Sequence, residues 1–388
     1  MKGLVLTPSR REAKVEELPK PTPGPGEVLI HVRAVALNPV DGIYVSSPIA
    51  VQDKRVVGTD LAGIVEGASS EFANSADPRT KTGTRVAGFL QGACSVNDRP
   101  GAFAEYITAP YDLIWVIPPG LSLEAASTIS MCGLTAAQGL FARLGLPSPF
   151  HDKPTLPRDD KNKNPVNVLV YGSSTSLGLY AAQLINLSSA ASGRKIRLIG
   201  AASASKHGFL QQKPYNYDVL VDYRDSDWVD KVKAATDGRG VDYAMDCISE
   251  GSTVYKSHET LNSSAKFSIF RGPVGGQYDP SKLTVKPIYG AVWEGLGVKI
   301  GYNGTILPEN PKARDFATKF FDFLGTETSA GGAQLEPNPV RVMPGGLEKI
   351  VPDGFSLLGS GLVVDRVSAQ REEDYMRPIS AEKLVYNI

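Results

Sequence analysis

Cysteine is scarce in this chain. Cys94, Cys132 and Cys247 are the only three in 388 residues, too few and too scattered for a disulfide framework. No CxxC pair exists, which excludes a zinc ribbon and a four-cysteine structural zinc lobe. A reducing compartment is expected. Net charge is lacking as well. The 41 basic residues balance 41 acidic ones, so no partner recognised by charge alone is expected, neither a nucleic acid nor an anionic membrane surface. No apolar run approaches the roughly 20 residues of a membrane span. The opening run Gly3-Leu4-Val5-Leu6 is too short for a signal peptide. The expectation is a soluble cytoplasmic protein.

What is present suffices for a sizeable core. Hydrophobic residues make up 42% of the chain and charged ones 21%, which excludes global disorder. The length suggests two to three domains. Up to about residue 110 the pattern is irregular β structure. Short apolar runs at Lys2–Leu6 and Lys14–Leu18 precede a period-two alternation over Glu27–Val35, and Gly58–Gly67, Gly83–Gly88 and Gly101–Ile107 continue the series. A helix is predicted from Leu123 with Ser122 as its N-cap. Another is predicted over Leu134–Leu144. The proline-rich, charged stretch 147–165 reads as an exposed loop.

From Pro165 onward strands and helices alternate. Strands are predicted at Val166–Tyr171, Ile196–Gly200, Val219–Tyr223 and Val241–Asp246, and helices at Gly178–Ser188 and Asp227–Ala235. This rhythm implies a doubly wound parallel sheet. Asn310–Leu324 reads as an amphipathic helix with Phe316, Phe320 and Phe323 on one side.

The strongest chemical signal is the first of these strands running into Gly172-Ser173-Ser174-Thr175-Ser176-Leu177-Gly178. Gly172 permits a sharp turn, small hydroxyl residues let the backbone approach a pyrophosphate, and Gly178 allows close helix packing. The helix N-terminus then offers free N–H groups. The strict GxGxxG is missing, and an ordinary strand–turn–helix corner has the same outline. The second strand ends in Ser203-Ala204-Ser205-Lys206, without the carboxylate that grips the ribose of NAD. Hydroxyls and a cation suit a 2′-phosphate, with Tyr223 nearby, and point to NADPH. A merely solvated Lys206 is the alternative.

Several segments together resemble the medium-chain dehydrogenase/reductase superfamily. They are Pro25–Ile30, Ala36-Leu37-Asn38-Pro39-Val40-Asp41, Val57–Val65, Gly101–Tyr106 and Leu134-Thr135-Ala136, in the family's order and spacing. The resemblance implies an α/β chain in which a GroES-like, mostly β domain carries an inserted Rossmann domain, with the active site in the cleft between them. The expected boundaries are 1–133 for the first part of the catalytic domain, 134–310 for the Rossmann domain and 311–388 for the return. In the zinc branch two ligand positions hold Cys and His. Here they are Asn38 and Thr59, and Cys132 at the third position cannot hold a catalytic zinc alone. No metal is expected, and the zinc-independent quinone and enoyl reductases remain.

Within that branch the chain is most similar to fungal trans-acting enoyl reductases of polyketide biosynthesis, through Tyr171–Thr175, Val221–Arg224, Tyr243–Ile248 and Ile379–Val385. The similarity implies reduction of the α,β-double bond of a polyketide thioester, with a polyketide synthase and its acyl carrier domain as partner. A quinone or enone reductase acting on free small molecules is the alternative. By similarity, Val40, Asp41, Gly42, Ile43, Ser173, Ser174, Thr175, Ser176, Ser203, Ala204, Ser205, Lys206, Tyr223, Ile379 and Ser380 line the NADPH site. Cys132, Gly133, Leu134, Thr135, Ala136, Ala137, Gln138 and Gly139 face nicotinamide and substrate. The usual donor position holds Ile43, so Tyr44, Thr135 or water is left as proton source. His31, His151, His207 and His258 are read as surface or packing residues. The interrupted edge Trp293-Glu294-Gly295-Leu296-Gly297 is a poor template for pairing, so a monomer is expected.

Overall fold

A computed structural model describes residues 1–49, 54–94, 99–151, 165–302, 305–328, 331–359, 361–363 and 371–388. The chain divides into two compact units, Met1–Met131 with Trp293–Ile388, and Cys132–Val292.

The first unit begins as the period-two patterning predicts. It contains β1 (Lys2–Thr7), β2 (Glu12–Glu17), β3 (Glu27–Ala36), β4 (Arg55–Val56), β5 (Asp60–Ala68), β6 (Arg85–Phe89), β7 (Tyr106–Pro110) and β8 (Ile114–Val116). The long strand β3 alternates between buried and partly exposed residues along its first half, then is buried throughout at its end. It organises the main sheet by pairing antiparallel with β5 along its length and with β7 at its start. A small sheet orders β2-β1-β4. Helix α1 (Pro39–Ser46) starts at Asn38 through a capping box in which the Asp41 carboxylate accepts the Asn38 N–H at 2.7 Å. Ser122 caps α2 (Leu123–Ser127) by accepting from Ala125 N at 3.1 Å, as the sequence predicts. The helix α3 (Ser130–Ala137) carries the chain across the boundary between the units.

Among the described residues the second unit holds six parallel strands. They are β9 (Val166–Tyr171), β10 (Ile196–Ala201), β11 (Val219–Val221), β12 (Val241–Asp246), β13 (Leu261–Ile269) and β14 (Ile288–Tyr289), in the spatial order β11-β10-β9-β12-β13-β14. This is the doubly wound dinucleotide-fold order, with the switch point at β9. All six residues of β9 are buried, as a strand covered on both faces requires. A core of Leu169, Ile199, Val241, Phe267 and Trp228 forms around it. Helix α4 (Ser176–Ser192) follows β9.

The chain re-enters the first unit earlier than the sequence reading set it. The parallel sheet ends with β14, and Trp293 already packs on Phe89 with ring centroids 6.1 Å apart. The unit is completed by β15 (Ile300–Tyr302), β16 (Thr305–Leu307), the helix Pro311–Gly325, β17 (Val340–Met343) and β18 (Lys383–Asn387). The last two extend the main sheet to β17-β18-β3-β5-β6-β8. Of the predicted loop 147–165, residues 152–164 lie outside the described residues. No helix among the described residues is long and apolar enough to cross a membrane.

Candidate cofactor and active site

The turn after β9 is built around two glycines. Gly172 has φ +76°, where a side chain is strained. A Cβ on Gly178 would lie 2.4 Å from the Gly172 carbonyl oxygen, so helix α4 packs against the turn as only glycine allows. Thr175 is the N-cap. Its hydroxyl accepts from Gly178 N at 3.0 Å and donates to the Gly172 carbonyl at 2.8 Å. Leu179 N donates to the Thr175 carbonyl at 2.9 Å. The first helical amides, Ser176 and Leu177, have no intrahelical acceptor and stand at the positive end of a 17-residue helix. Ser174 and Ser176 are partly exposed. Ser173 is not: it is fully buried, and its hydroxyl donates to the carbonyls of Val170 at 2.8 Å and Ala201 at 3.3 Å. Its part is to tie the turn to β10.

The adjoining strand ends complete this edge. Beyond β10, Ser203 and Lys206 are partly exposed and Ala204 and Ser205 exposed. The Lys206 N–H donates to the Ser203 carbonyl at 2.8 Å. Asp222, after β11, braces this turn. Its Oδ2 accepts from Ala204 N at 2.9 Å and its Oδ1 from Arg224 N at 3.0 Å. The N–H donors of Arg224 and Ala204 hold its carboxyl below the usual carboxylate range. Tyr223, 40% exposed, sits edge-on to Tyr171 at 6.2 Å, with the Arg224 guanidinium 5.5 Å from its ring centre. Sequence reasoning missed Asp222 and Arg224. The Ala204 N–H that Asp222 meets lies 18 residues away in the chain, so the residue types alone did not announce the contact.

At the end of β12 the buried Asp246 holds the next loop. Its carboxylate accepts from Ile248 N at 2.9 Å, Ser249 N at 2.8 Å and Thr253 Oγ1 at 2.6 Å. Burial nevertheless raises its pKa to about 6. On the segment Cys132–Gly139, only Cys132 and Thr135 are partly exposed. They stand three residues apart and so share one helical face. Gly133, Leu134, Ala136, Ala137, Gln138 and Gly139 are buried.

The remaining predicted residues belong to the first unit. Val40 and Ile43 are partly exposed, Asp41 and Gly42 are buried, and Tyr44 is 8% exposed. Burial pushes the Asp41 carboxyl up to about 7. Asn38 Nδ2 donates to Thr59 Oγ1 at 2.8 Å and Asp60 Oδ2 at 2.9 Å. Lys383 Nζ donates to the same Asp60 oxygen at 2.5 Å and to the Thr128 carbonyl at 3.2 Å. Met131 N reaches Asp60 Oδ1 at 2.9 Å. Asn38 and Thr59, which stand at two of the zinc-ligand positions, thus belong to a buried hydrogen-bonded network. No group of three His, Cys, Asp or Glu among the described residues is arranged to hold a metal ion. No disulfide joins Cys94, Cys132 and Cys247.

Ile379 is partly exposed and Ser380 exposed. Their segment is held by the buried Arg341, which donates to the carbonyls of Tyr375 at 3.0 Å, Arg377 at 2.6 Å and Pro378 at 3.0 Å, and pairs with Glu382. Nothing in the local sequence marks Arg341 for this part.

Residues 24–119 match the alcohol dehydrogenase GroES-like domain. The chain is 31% identical over 368 residues to trans-enoyl reductase ACTTS2 of Alternaria alternata, covering 92% of this chain and 95% of that one. It is 30% identical over 383 residues to trans-enoyl reductase FSL5 of Gibberella zeae, covering 96% and 93%. An alcohol dehydrogenase superfamily protein from Novosphingobium aromaticivorans shares the fold, with a TM-score of 0.72 at 18% identity over 100% of this chain and 99% of that one. A GroES-like unit, an inserted dinucleotide-type sheet and near-full-length likeness to two such enzymes place this chain among the trans-enoyl reductases of the medium-chain dehydrogenase/reductase superfamily.

Proposed function

We propose that the chain is an NADPH-dependent enoyl reductase that acts in trans, as a monomer, on an α,β-unsaturated thioester carried by the acyl carrier domain of a polyketide synthase. The near-full-length likeness to trans-enoyl reductases carries the reaction class. The choice of NADPH rests on the turn beyond β10, where Ser203, Ser205 and Lys206 stand in place of a carboxylate.

The turn suits a dinucleotide because the first amides of α4 lack intrahelical acceptors and the partly exposed Ser174 and Ser176 stand beside them. Ser174, Thr175 and Ser176, with the first amides of α4, would hold the pyrophosphate. Lys206, Ser203 and Tyr223 would hold the 2′-phosphate, with Arg224 beside them and Asp222 fixing the turn. Val40, Ile43, Ile379 and Ser380 are proposed to complete the site. Bound NADPH supplies a hydride. The chain's own residues orient the thioester and deliver a proton to its α-carbon, from Tyr44, Thr135 or a water they position. Cys132 and Thr135 offer the partly exposed face of their helix to the acyl group.

The test is turnover. The purified chain should oxidise NADPH with a crotonyl thioester of an acyl carrier domain and release the saturated acyl product. Lys206→Ala should weaken NADPH binding about 10- to 150-fold and spare NADH. Turnover of a quinone without turnover of the thioester rejects the proposal in favour of a reductase for free small molecules.

A further inference from the structure

In the parallel sheet the connections part between β9 and β12, and the crevice at the carboxyl ends of two such strands is where a ligand of this fold lies. Asp246 ends β12 opposite Tyr171, the last residue of β9. The residues after it pack on the turn after β9. Cys247 N donates to the Tyr171 carbonyl at 3.0 Å. Ile248 lies against Gly172, where an added Cβ would stand 3.2 Å from Ile248 Cγ1.

The Asp246 carboxylate ties this loop down. Its Oδ1 alone accepts both Ile248 N at 2.9 Å and Ser249 N at 2.8 Å, and its Oδ2 accepts the Thr253 hydroxyl at 2.6 Å. The Thr253 oxygen in turn accepts from Glu250 N at 3.1 Å. Three successive amides thus depend on the carboxylate or on its hydroxyl partner. Ser249 has φ +58°, which a side chain rarely adopts. Its hydroxyl donates to the Asp246 carbonyl at 2.6 Å and accepts from Phe270 N at 2.9 Å. Such a conformation persists only where its surroundings over-determine it, and it clusters at ligand clamps. Asp246 itself is fully buried, so any effect on a ligand runs through the loop.

We infer that Asp246 is a positioning residue for the nucleotide: it holds Cys247–Ser249 as a wall against the turn Gly172–Gly178 and so sets affinity for NADPH and NADH alike. The inference rests on the reading of that turn as the phosphate site. It differs from the part proposed for Lys206, which concerns the 2′-phosphate alone.

Fluorescence titration of the full chain with each nucleotide tests it, with Tm measured alongside. Asp246→Ala should weaken NADPH and NADH each about tenfold, leaving the preference between them as in wild type. Asp246→Asn keeps an oxygen for Ile248 N and Ser249 N and turns its amide to the Thr253 oxygen. It should bind both within about twofold of wild type. Thr253→Val removes the partner of Oδ2 and of Glu250 N and should weaken both about fivefold. It carries the test if Asp246→Ala does not fold. Wild-type affinity in Asp246→Ala or in Thr253→Val overturns the inference, because a role confined to folding lowers Tm and leaves the folded protein's affinities alone. So does an affinity in Asp246→Asn as low as in Asp246→Ala. A wild type that binds neither nucleotide overturns the reading of the turn itself, and the inference with it.

Discussion

The carboxylate of Asp222 accepts the backbone N–H of Ala204 at 2.9 Å, so one strand end braces the loop that follows its neighbour. The loop it braces carries Lys206 and follows the strand whose end decides between NADH and NADPH. Asp222→Ala should therefore weaken NADPH by about tenfold while leaving NADH within a few-fold, read by fluorescence titration of both cofactors. The backbone donors hold this carboxyl below its usual range, so the brace is intact above the unfolded-state value and is lost as pH falls through the lower folded one. The brace itself should stay intact from about pH 8 to about pH 5, so any loss of NADPH preference near pH 6 comes from protonation of the 2′-phosphate.

Tyr44→Phe and Thr135→Phe separate the roles proposed for these residues. If the Tyr44 hydroxyl delivers the proton, its loss should lower kcat by about 10²–10⁴ with little change in KM. If water does so, the drop should stay under about tenfold. Thr135→Phe should block thioester reduction while NADPH affinity stays within a few-fold, since the turn proposed to bind the phosphates is untouched. An unaltered rate in Thr135→Phe would remove the segment Cys132–Gly139 from the substrate site.

Asp41 makes stability depend on pH. Burial lifts its folded pKa to about 7, above the unfolded value near 3.8, so the folded state binds more protons in between. Stability should fall as pH rises from about 4 to about 7. Asp41→Asn keeps an acceptor for the Asn38 N–H and should flatten the upper part of that slope. What remains should end near pH 6, the value to which burial lifts Asp246. Tm measured across this range for both proteins provides the check.

The pair Lys383–Asp60 is buried on both sides. Removing the lysine leaves a buried carboxylate with only the donors from Asn38 and Met131. Lys383→Met should cost about 3–5 kcal/mol of unfolding free energy, measured by urea denaturation. The double variant Asp60→Asn/Lys383→Met should regain part of the loss.

Gly178→Ala tests the phosphate turn. The added Cβ would meet the Gly172 carbonyl at 2.4 Å, so the turn must shift. A stability loss of about 1–3 kcal/mol is expected, together with a fall in affinity for both NADPH and NADH. Loss of stability alone would mean that the turn does not hold the cofactor.

The most legible parts of the sequence were those where one physical signal dominates. β9 lies where its nearly continuous apolar run sets it, because a strand covered on both faces is mostly apolar, and β12 lies within its predicted bounds as well. The Ser122 cap was readable from a short hydroxyl ahead of a helix former. Gly101–Ile107 misled, since its first half is no regular strand. Gly101 N and Phe103 N donate to Val56 and Val57 while the Phe103 carbonyl accepts from Leu4, and pairing with β3 begins only at Tyr106. The predicted helix over Leu134–Leu144 begins earlier, at Ser130, and loosens into a π-type turn over Gln138–Arg143, which no local composition announces. In the candidate site the turn glycines and hydroxyls were visible as motifs. Asp222, Asp60 with Lys383, and Arg341 were not. Their parts depend on backbone groups or partners supplied by chain remote in sequence, and a residue type alone carries no record of them.

In the main sheet β18 lies between β17 and β3, and Val385 stands opposite Ala36. During vectorial synthesis this has a temporal consequence. All six described strands of the inserted unit have been synthesised by residue 289, well before β17 and β18, so that unit is free to fold while the first sheet still lacks two strands. For that whole interval the end of β3 is an open edge, the kind of surface that recruits foreign strands. Chaperone demand and aggregation on overexpression should therefore track the delay before β18 emerges rather than the insert itself.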